Sequence, residues 1–200
     1  DEQGYLHMRI AEHDGKWFSS EVVSQMNMGY GKYSWVVQGD LENIPENITL
    51  GLFTWDNNTF FDQANSEVDI EFSKWGVASE ENTMLYSVQP VNFGPTYPER
   101  THLIETEVGD LVGVTTHTFI WTDTLITWNS YYGDTESEDK RIGTWYFNLD
   151  NQQRIKNENG NSSAAIVIPT PGETTNARIN FWLLPWISSS PTDGLEREIV

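Results

Sequence analysis

Apolar and polar residues alternate along most of this chain, and apolar residues almost nowhere recur at the spacing of a helix. In a strand, alternation puts successive side chains on opposite faces, so that one face can be buried and the other solvated. Polar turn clusters rich in Gly, Pro, Asn and Asp separate the alternating segments. The pattern predicts nine strands, at residues 5–11, 16–24, 32–39, 47–55, 67–75, 83–91, 112–122, 125–132 and 177–186.

Strands at such intervals, joined by polar turns, are typical of an antiparallel sandwich or jelly roll rather than of alternating strands and helices. We therefore predict an all-β fold, with a single short helix at residues 147–155. A length of 200 residues suits one domain with a large core, and neither a repeat nor a linker interrupts the sequence. One domain is predicted over residues 1–200.

Composition and charge narrow the possible functions. The sequence has no cysteine, which excludes disulfides and thiol chemistry, and no run of 18 apolar residues that could span a membrane. Its net charge of −19 argues against a nucleic acid or an anionic membrane as partner, because both require clustered Lys and Arg. Such a charge fits an extracellular, cell-surface or high-salt setting, and we expect a monomer there.

Aromatic residues are unusually frequent. Nine Trp, eight Tyr and nine Phe make up 13% of the chain. A core can use some of them, and the remainder indicates a surface that stacks on flat, partly apolar rings such as sugars. Core packing is the alternative explanation for each single Trp.

The segment SEVDIEF (66–72) combines acidic and apolar residues in a way that predicts a half-buried strand. Its carboxylates Glu67, Asp69 and Glu71 would share one face, and its apolar residues the other. The same acidic spacing recurs in GDTESED (133–139), where polar neighbours and a Gly predict a solvated loop. The spacing therefore carries no weight by itself, and the apolar interleaving distinguishes the first segment.

Three acids on one face suit glycoside hydrolysis, which needs two carboxyl groups flanking the scissile bond. Positions i and i+4 of a strand lie about 13 Å apart at Cα. Glu67 and Glu71, leaning toward each other, could approach the roughly 5–6 Å that suits a retaining mechanism. The charge of Asp69 between them would raise the pKa of the acid/base.

A metal site is the competing use of alternating carboxylates. Calcium takes six to eight oxygens, usually from a loop, whereas a flat strand presents only three. The four histidines have no ligand spacing: His7, His13, His102 and His117. No cofactor or catalytic metal is expected, although a structural calcium ion at an unassigned position is compatible with the sequence. Signatures of serine esterases, nucleotide-binding loops and zinc peptidases are absent.

The segment EVDIEF (67–72) resembles the Glu-x-Asp-x-Glu-Phe signature of glycoside hydrolase family 16, which includes lichenases, laminarinases and xyloglucan endotransglycosylases. Four further blocks resemble segments of that family in the same order. They are WFSSEVVSQMNMGYGKYSWVV (17–37), LGLFTWD (50–56), HTFIWTDTLITW (117–128) and INFWLLPW (179–186). Together the five blocks cover most of the chain.

The resemblance implies a concanavalin-A-like jelly roll of two curved antiparallel sheets, with a glycan cleft on the concave face. It implies that Glu67 is the nucleophile, Asp69 an auxiliary acid and Glu71 the acid/base. The spacing without an extra residue is similar to that of lichenases and transglycosylases. The implied activity is retaining, endo-acting hydrolysis of a β-glycan such as a β-glucan or galactan.

The resemblance also implies the substrate-binding residues, and it leaves the role of one block open. His117 and Trp121 match hairpin positions, where a structural residue and a neighbour of the catalytic acids are both compatible with the sequence. The candidate sugar-binding residues are Trp55, Trp75, Gln89, Asn180, Trp182 and Trp186.

Two departures from the family pattern affect the expected subsites. The segment around Glu21 lacks the Arg that often follows at this place, and the hairpin continues as WNSYYGD (128–134) instead of the usual turn. Two other functions remain open at this point. They are a glycan-binding module without turnover and a transglycosylase, in which a sugar replaces water as the acceptor.

Overall fold

The computed structural model describes residues 1–91, 100–148 and 166–200. Within them the chain has one helical turn, α1 (Phe60–Gln63), and short 3-10 turns at Asn57–Thr59, Ala64–Ser66 and Glu138–Lys140. None of these helices is long and apolar enough to cross a membrane. The described strands are β1 (Met8–His13), β2 (Lys16–Phe18), β3 (Ser20–Val23), β4 (Gly31–Asp40), β5 (Ile48–Trp55), β6 (Val68–Ser73), β7 (Met84–Val88), β8 (Thr101–Leu103), β9 (Val112–Trp121), β10 (Leu125–Tyr132), β11 (Arg141–Asn148), β12 (Asn176–Leu183) and β13 (Arg197–Ile199).

The strands form two main sheets and one small one, and every described pairing is antiparallel. The front sheet has the order β3-β12-β5-β6-β7-β8, and the back sheet has the order β11-β10-β9-β4. A three-stranded sheet, β13-β1-β2, brings the two ends of the chain together. The predicted all-β class is confirmed.

The core lies between the front and back sheets. Apolar residues that alternate along β5, β6 and β7 meet the large aromatic residues of β9 and β10. Trp121 and Trp128 are both fully buried there, and Trp128 stacks on Tyr86 with ring centroids 6.0 Å apart. Much of the aromatic content is therefore used by the core, in line with the alternative explanation considered for single Trp residues.

Several predicted boundaries differ from the structure. The predicted strand 16–24 is two strands, because the chain leaves β1 after β2 and pairs with β12 through β3. Strands β8, β11 and β13 were not predicted. The first two residues of the predicted helix 147–155 complete β11, which corrects that part of the prediction, and residues 149–155 lie outside the described residues.

Candidate active site

Strand β6 separates acidic from apolar side chains as its alternation predicts. Asp69 is 2% exposed, whereas Glu67 and Glu71 are partly exposed. All three carboxylates line a cleft on the face of the front sheet that points away from the back sheet. The apolar residues on the opposite face are fully buried in the core: Val68, Ile70 and Phe72.

The cleft has a volume of about 640 Å³ and crosses the front sheet from edge to edge. Each strand of this sheet contributes to its lining. One residue from each, in sheet order, is Glu21, Asn180, Trp55, Glu71, Ser87 and Thr101. Strand β6 is the fourth of the six, so that three strands lie on one side of the carboxylates and two on the other.

Asp69 is the most enclosed of the three acids and is held by side chains of the adjacent strand. The hydroxyl of Ser87, its cross-strand partner on β7, donates a hydrogen bond of 2.6 Å to Oδ2. Gln89 Nε2 lies 3.5 Å from the same oxygen, a long contact. A hydrogen bond between the Glu67 and Asp69 carboxyl groups raises the pKa of Glu67 and lowers that of Asp69.

Burial raises the pKa of all three carboxyl groups. For Glu67 the pKa lies well above its usual range, because burial is reinforced by the charges of Asp69 and Glu71. For Glu71 the causes are burial and then the charge of Asp69. Burial raises the pKa of Asp69 to about 6, and hydrogen bonds from Ser87, Glu67 and Gln89 oppose the rise. Such a cluster can hold protons near neutral pH, as a general acid must.

The core also fixes the backbone beneath the acids. Trp128, on β10 of the back sheet, donates from Nε1 to the main-chain oxygen of Asp69 at 3.0 Å. This bond links the strand that carries the acids to a fully buried indole. The position of the acids along the cleft therefore depends on packing between the sheets.

Five of the six candidate sugar-binding residues line the cleft together with the acids: Trp55, Trp75, Gln89, Asn180 and Trp182. The sixth, Trp186, lies outside the lining. It is 64% exposed and meets the ring of Trp182 edge to face at a centroid distance of 5.7 Å. The separation arises because β12 ends at Leu183, three residues before Trp186.

Gly51 provides the space that Asn180 occupies. It pairs with Asn180 on β12 and with Glu71 on β6. A Cβ atom at Gly51 would lie 2.6 Å from Asn180 Oδ1. This oxygen is buried and has no hydrogen-bond partner among the described residues. A glycine beside Glu71 therefore lets the Asn180 amide settle close to the sheet.

His117 is structural. Its ring is fully buried, with Nδ1 2.8 Å from Ser130 Oγ and Nε2 2.7 Å from Thr115 Oγ1. It packs edge to face against Phe72, on the face of β6 opposite the acids, and burial lowers its pKa to about 3. Trp121 is also a core residue, and its Nε1 donates to the main-chain oxygen of Pro169.

Three residues of the site were not singled out from the sequence: Ser87, Trp128 and Arg178. Ser87 lies two positions before Gln89, and Arg178 two positions before Asn180, so strand alternation could have placed each on the cleft face. Trp128 gave no such signal, because its contact with Asp69 joins residues 59 positions apart in two different sheets.

Metal ligation receives no support from side chains in the described ranges. Among residues 1–91, 100–148 and 166–200, no three His, Asp or Glu side chains come together in a way that could hold an ion. A structural calcium ion stays compatible with the sequence and has no assigned position.

Comparison with known proteins finds similarity in structure alone. Neither the protein-family models nor the curated proteins give a match to this sequence. Among solved structures, β-glucanase from Bacillus licheniformis aligns with 100% of this chain and 76% of its own, with a TM-score of 0.62 and 15% identity. The laminarinase catalytic domain from Thermotoga maritima aligns with 96% of this chain and 73% of its own, with a TM-score of 0.55 and 10% identity.

A third similar structure comes from Bacteroides ovatus and is described as the GH16 protein of a mixed-linkage glucan PUL, in complex with a G4G4G3G product. It aligns with 96% of this chain and 76% of its own, with a TM-score of 0.57 and 11% identity. At identities this low the similarity establishes the fold. The predicted concanavalin-A-like jelly roll is confirmed, and it is the fold of glycoside hydrolase family 16 β-glucanases.

Proposed function

We propose that this protein is a retaining, endo-acting β-glycan hydrolase of glycoside hydrolase family 16. The observation that carries the proposal is the cluster of Glu67, Asp69 and Glu71 at the floor of an open cleft, with the pKa of each carboxyl group raised chiefly by burial. Burying three neighbouring acids costs stability, and glycoside hydrolysis is a chemistry that uses such an arrangement.

In the proposed mechanism Glu71 protonates the leaving oxygen while the Glu67 carboxylate attacks the anomeric carbon, forming a covalent glycosyl-enzyme. Glu71 then removes a proton from water, which attacks the same carbon and releases Glu67. Asp69 supports both steps, because its negative charge raises the pKa of Glu71 and its carboxyl group can exchange a proton with Glu67. Ser87 holds Asp69 in place for this exchange.

The shape of the cleft supports cleavage within a chain. Six strands at a spacing of about 4.8 Å span roughly 24 Å, which accommodates several consecutive sugar rings. The cleft crosses the whole front sheet, with the acids in its interior rather than at one end. Trp55 and Trp182 lie on one side of the acids and supply rings on which sugars could stack.

Charge supports a neutral substrate such as a β-glucan or a galactan. The charged residues that line the described part of the cleft are Glu21, Glu67, Asp69, Glu71 and Arg178. Four acids against one base, in a protein of net charge −19, would repel a sulfated or carboxylated glycan. We expect this activity outside the cell or at its surface, from a monomer.

Release of reducing ends from a panel of β-glucans, galactans and xyloglucan tests the proposal. We expect internal cleavage of at least one neutral glycan, and loss of that cleavage in Glu67→Gln. Binding without release across the panel would favour the glycan-binding module. Longer sugar chains, formed by transfer to a sugar acceptor, would identify a transglycosylase.

A further inference from the structure

Arg178 is the only Lys or Arg among the described residues that line the cleft. Its side chain is 14% exposed and is fixed at three points. Nη1 donates to Glu21 Oε1 at 3.1 Å, and Nε donates to Asn176 Oδ1 at 2.9 Å. The guanidinium group also lies 5.5 Å from the ring centroid of Trp55. These contacts fix a positive charge at one place in an otherwise acidic cleft, where it can act on the neighbouring carboxylates.

The sheet register places Arg178 within reach of Glu67. Arg178 pairs with Phe53 on β5, and Phe53 pairs with Asp69 on β6, so the three residues form one row across the sheet. The outer two are two strands apart, about 10 Å at Cα. The Trp55 ring, which the guanidinium covers, belongs to the next residue of β5 on the cleft face, toward Glu67.

We propose that Arg178 is a positioning residue, held over Trp55 by Glu21 and Asn176, that favours the ionised form of the Glu67 carboxyl group. This inference rests on the proposed function, because an ionised Glu67 matters only if this residue is the nucleophile.

Arg178 affects how readily Glu67 gives up its proton to Asp69. Burial, the charges of Asp69 and Glu71 and the hydrogen bond to Asp69 all raise the pKa of Glu67 and so favour its protonated form, whereas nucleophilic attack requires Glu67 to be charged. A nearby positive charge stabilises that state, and the attraction of Arg178 lowers the pKa of Glu67 against the larger effects that raise it. Arg178 thus shifts the proton from Glu67 toward Asp69.

The other charged groups around Glu67 are few. Asp69 and Glu71 on β6 oppose its ionisation, and Glu21 on β3 acts indirectly by drawing the charge of Arg178 away. The described cleft-lining residues of β5 and β7 are uncharged. The part of the Glu67 pKa that Arg178 controls thus depends on how its charge is divided between Glu67 and Glu21, and substitutions at Arg178 and Glu21 should act in opposite directions.

The test compares Arg178→Met, Arg178→Lys and Glu21→Gln with Lys32→Gln, which removes a cation paired with Glu136 on the back sheet. We would measure kcat/KM against pH, and the titration of the Glu67 side-chain carboxyl carbon by NMR, with its signal identified by its absence in Glu67→Gln. Arg178→Met should move the Glu67 titration and the acidic limb of the profile upward by about one pH unit. Arg178→Lys should largely restore both, and Glu21→Gln should move them downward.

Lys32→Gln should leave both measurements unchanged. A loss of kcat/KM at all pH values in Arg178→Met, with the Glu67 titration unmoved, would overturn the inference and assign Arg178 to sugar contact or packing. If Arg178→Met does not fold, the other two variants still test the inference. It would be overturned if the Glu67 titration moved in the same direction in Arg178→Lys and Glu21→Gln, or did not move in Glu21→Gln. The NMR titration does not need activity. An inactive protein in which Arg178→Met and Glu21→Gln move the Glu67 titration in opposite directions would therefore refute the proposed hydrolase and retain the effect of Arg178 on Glu67.

Discussion

Two segments of this protein carry acids at the same spacing, yet their surroundings have little in common. Glu67, Asp69 and Glu71 line a cleft, in which Ser87 of β7 donates a hydrogen bond to Asp69. The second triplet, within residues 134–138, is exposed. Its Glu136 and Glu138 pair with cations in solvent: Lys32 and Arg141.

The difference arises from the residues between the acids. In the first segment the intervening side chains are apolar and belong to the core, so their burial holds this segment in the sheet with its acids on the cleft face. In the second the intervening residues are Thr135 and Ser137, which give the chain no reason to form a buried strand. Burial of the apolar face keeps the first three acids side by side and largely out of water, which raises the pKa of each.

The largest expected difference between the segments is in catalysis. Glu67→Gln and Glu71→Gln should each lower kcat/KM on a polymeric substrate by at least about 10³-fold, because in the proposed mechanism each removes a group that acts in bond breaking. Glu136→Gln and Glu138→Gln, with identical chemical changes, should leave the rate unchanged. Initial rates of reducing-end release, after circular dichroism has confirmed folding, make the comparison. Equal effects in both segments would show that the cleft is not the site of reaction.

Replacing a buried acid should raise stability, although it should lower the catalytic rate. The folded protein holds the Asp69 proton more tightly than the unfolded chain does, because the folded-state pKa is raised from 3.8 to about 6. The ionised carboxylate therefore lowers stability as the pH rises through this range, and Asp69→Asn should raise the free energy of unfolding at pH 7 by about 1–3 kcal/mol. The gain should vanish below about pH 4, where both states are protonated.

Urea unfolding at several pH values measures this effect, with Asp134→Asn in the exposed segment as the control. The control should stay within about 0.5 kcal/mol of the unsubstituted protein at every pH. A loss of stability in Asp69→Asn at pH 7 would mean that the hydrogen bonds from β7 outweigh the cost of burying the charge.

Removing a hydroxyl group that donates to an acid should have a smaller effect on the rate. Ser87 donates to Asp69, so Ser87→Ala should raise the pKa of that carboxyl group further and lower the rate about 10-fold, most strongly on the acidic side of the profile. Ser137 makes the same kind of bond to Asp139 in the exposed segment, and Ser137→Ala should have no effect on the rate. Matching pH–rate profiles for the two variants would argue against a role for the Ser87 bond.

Salt should screen the repulsion among the exposed acids and have little effect on the buried ones. With a net charge of −19, the folded protein repels itself, and about 0.1 M NaCl should raise the melting temperature by a few degrees through screening. A flat or falling melting temperature would contradict this expectation. A further rise with CaCl₂ at the same ionic strength would indicate a structural calcium ion.

Alternation was sufficient to predict the local features of this site. The segment 66–72 gave the strand and the face of each side chain, since both depend on neighbours in sequence. It could not reveal Trp128 or Arg178 as partners, because their contacts cross strands and sheets. Strand β11 was not predicted, and its last two residues were assigned to a helix at residues 147–155. Pairing with β10 decided that conformation.

Azide rescue tests the central claim most directly, since it assigns a chemical role to Glu67 and to Glu71. The assay uses a β-glycoside with a good leaving group, and the anomeric configuration of the glycosyl azide product is read by NMR. Glu67→Ala should give the α-azide, because azide occupies the place of the missing nucleophile. Glu71→Ala should give the β-azide, because the glycosyl-enzyme still forms on Glu67 and azide replaces water. A β-azide from Glu67→Ala, or an α-azide from Glu71→Ala, would contradict the assignment.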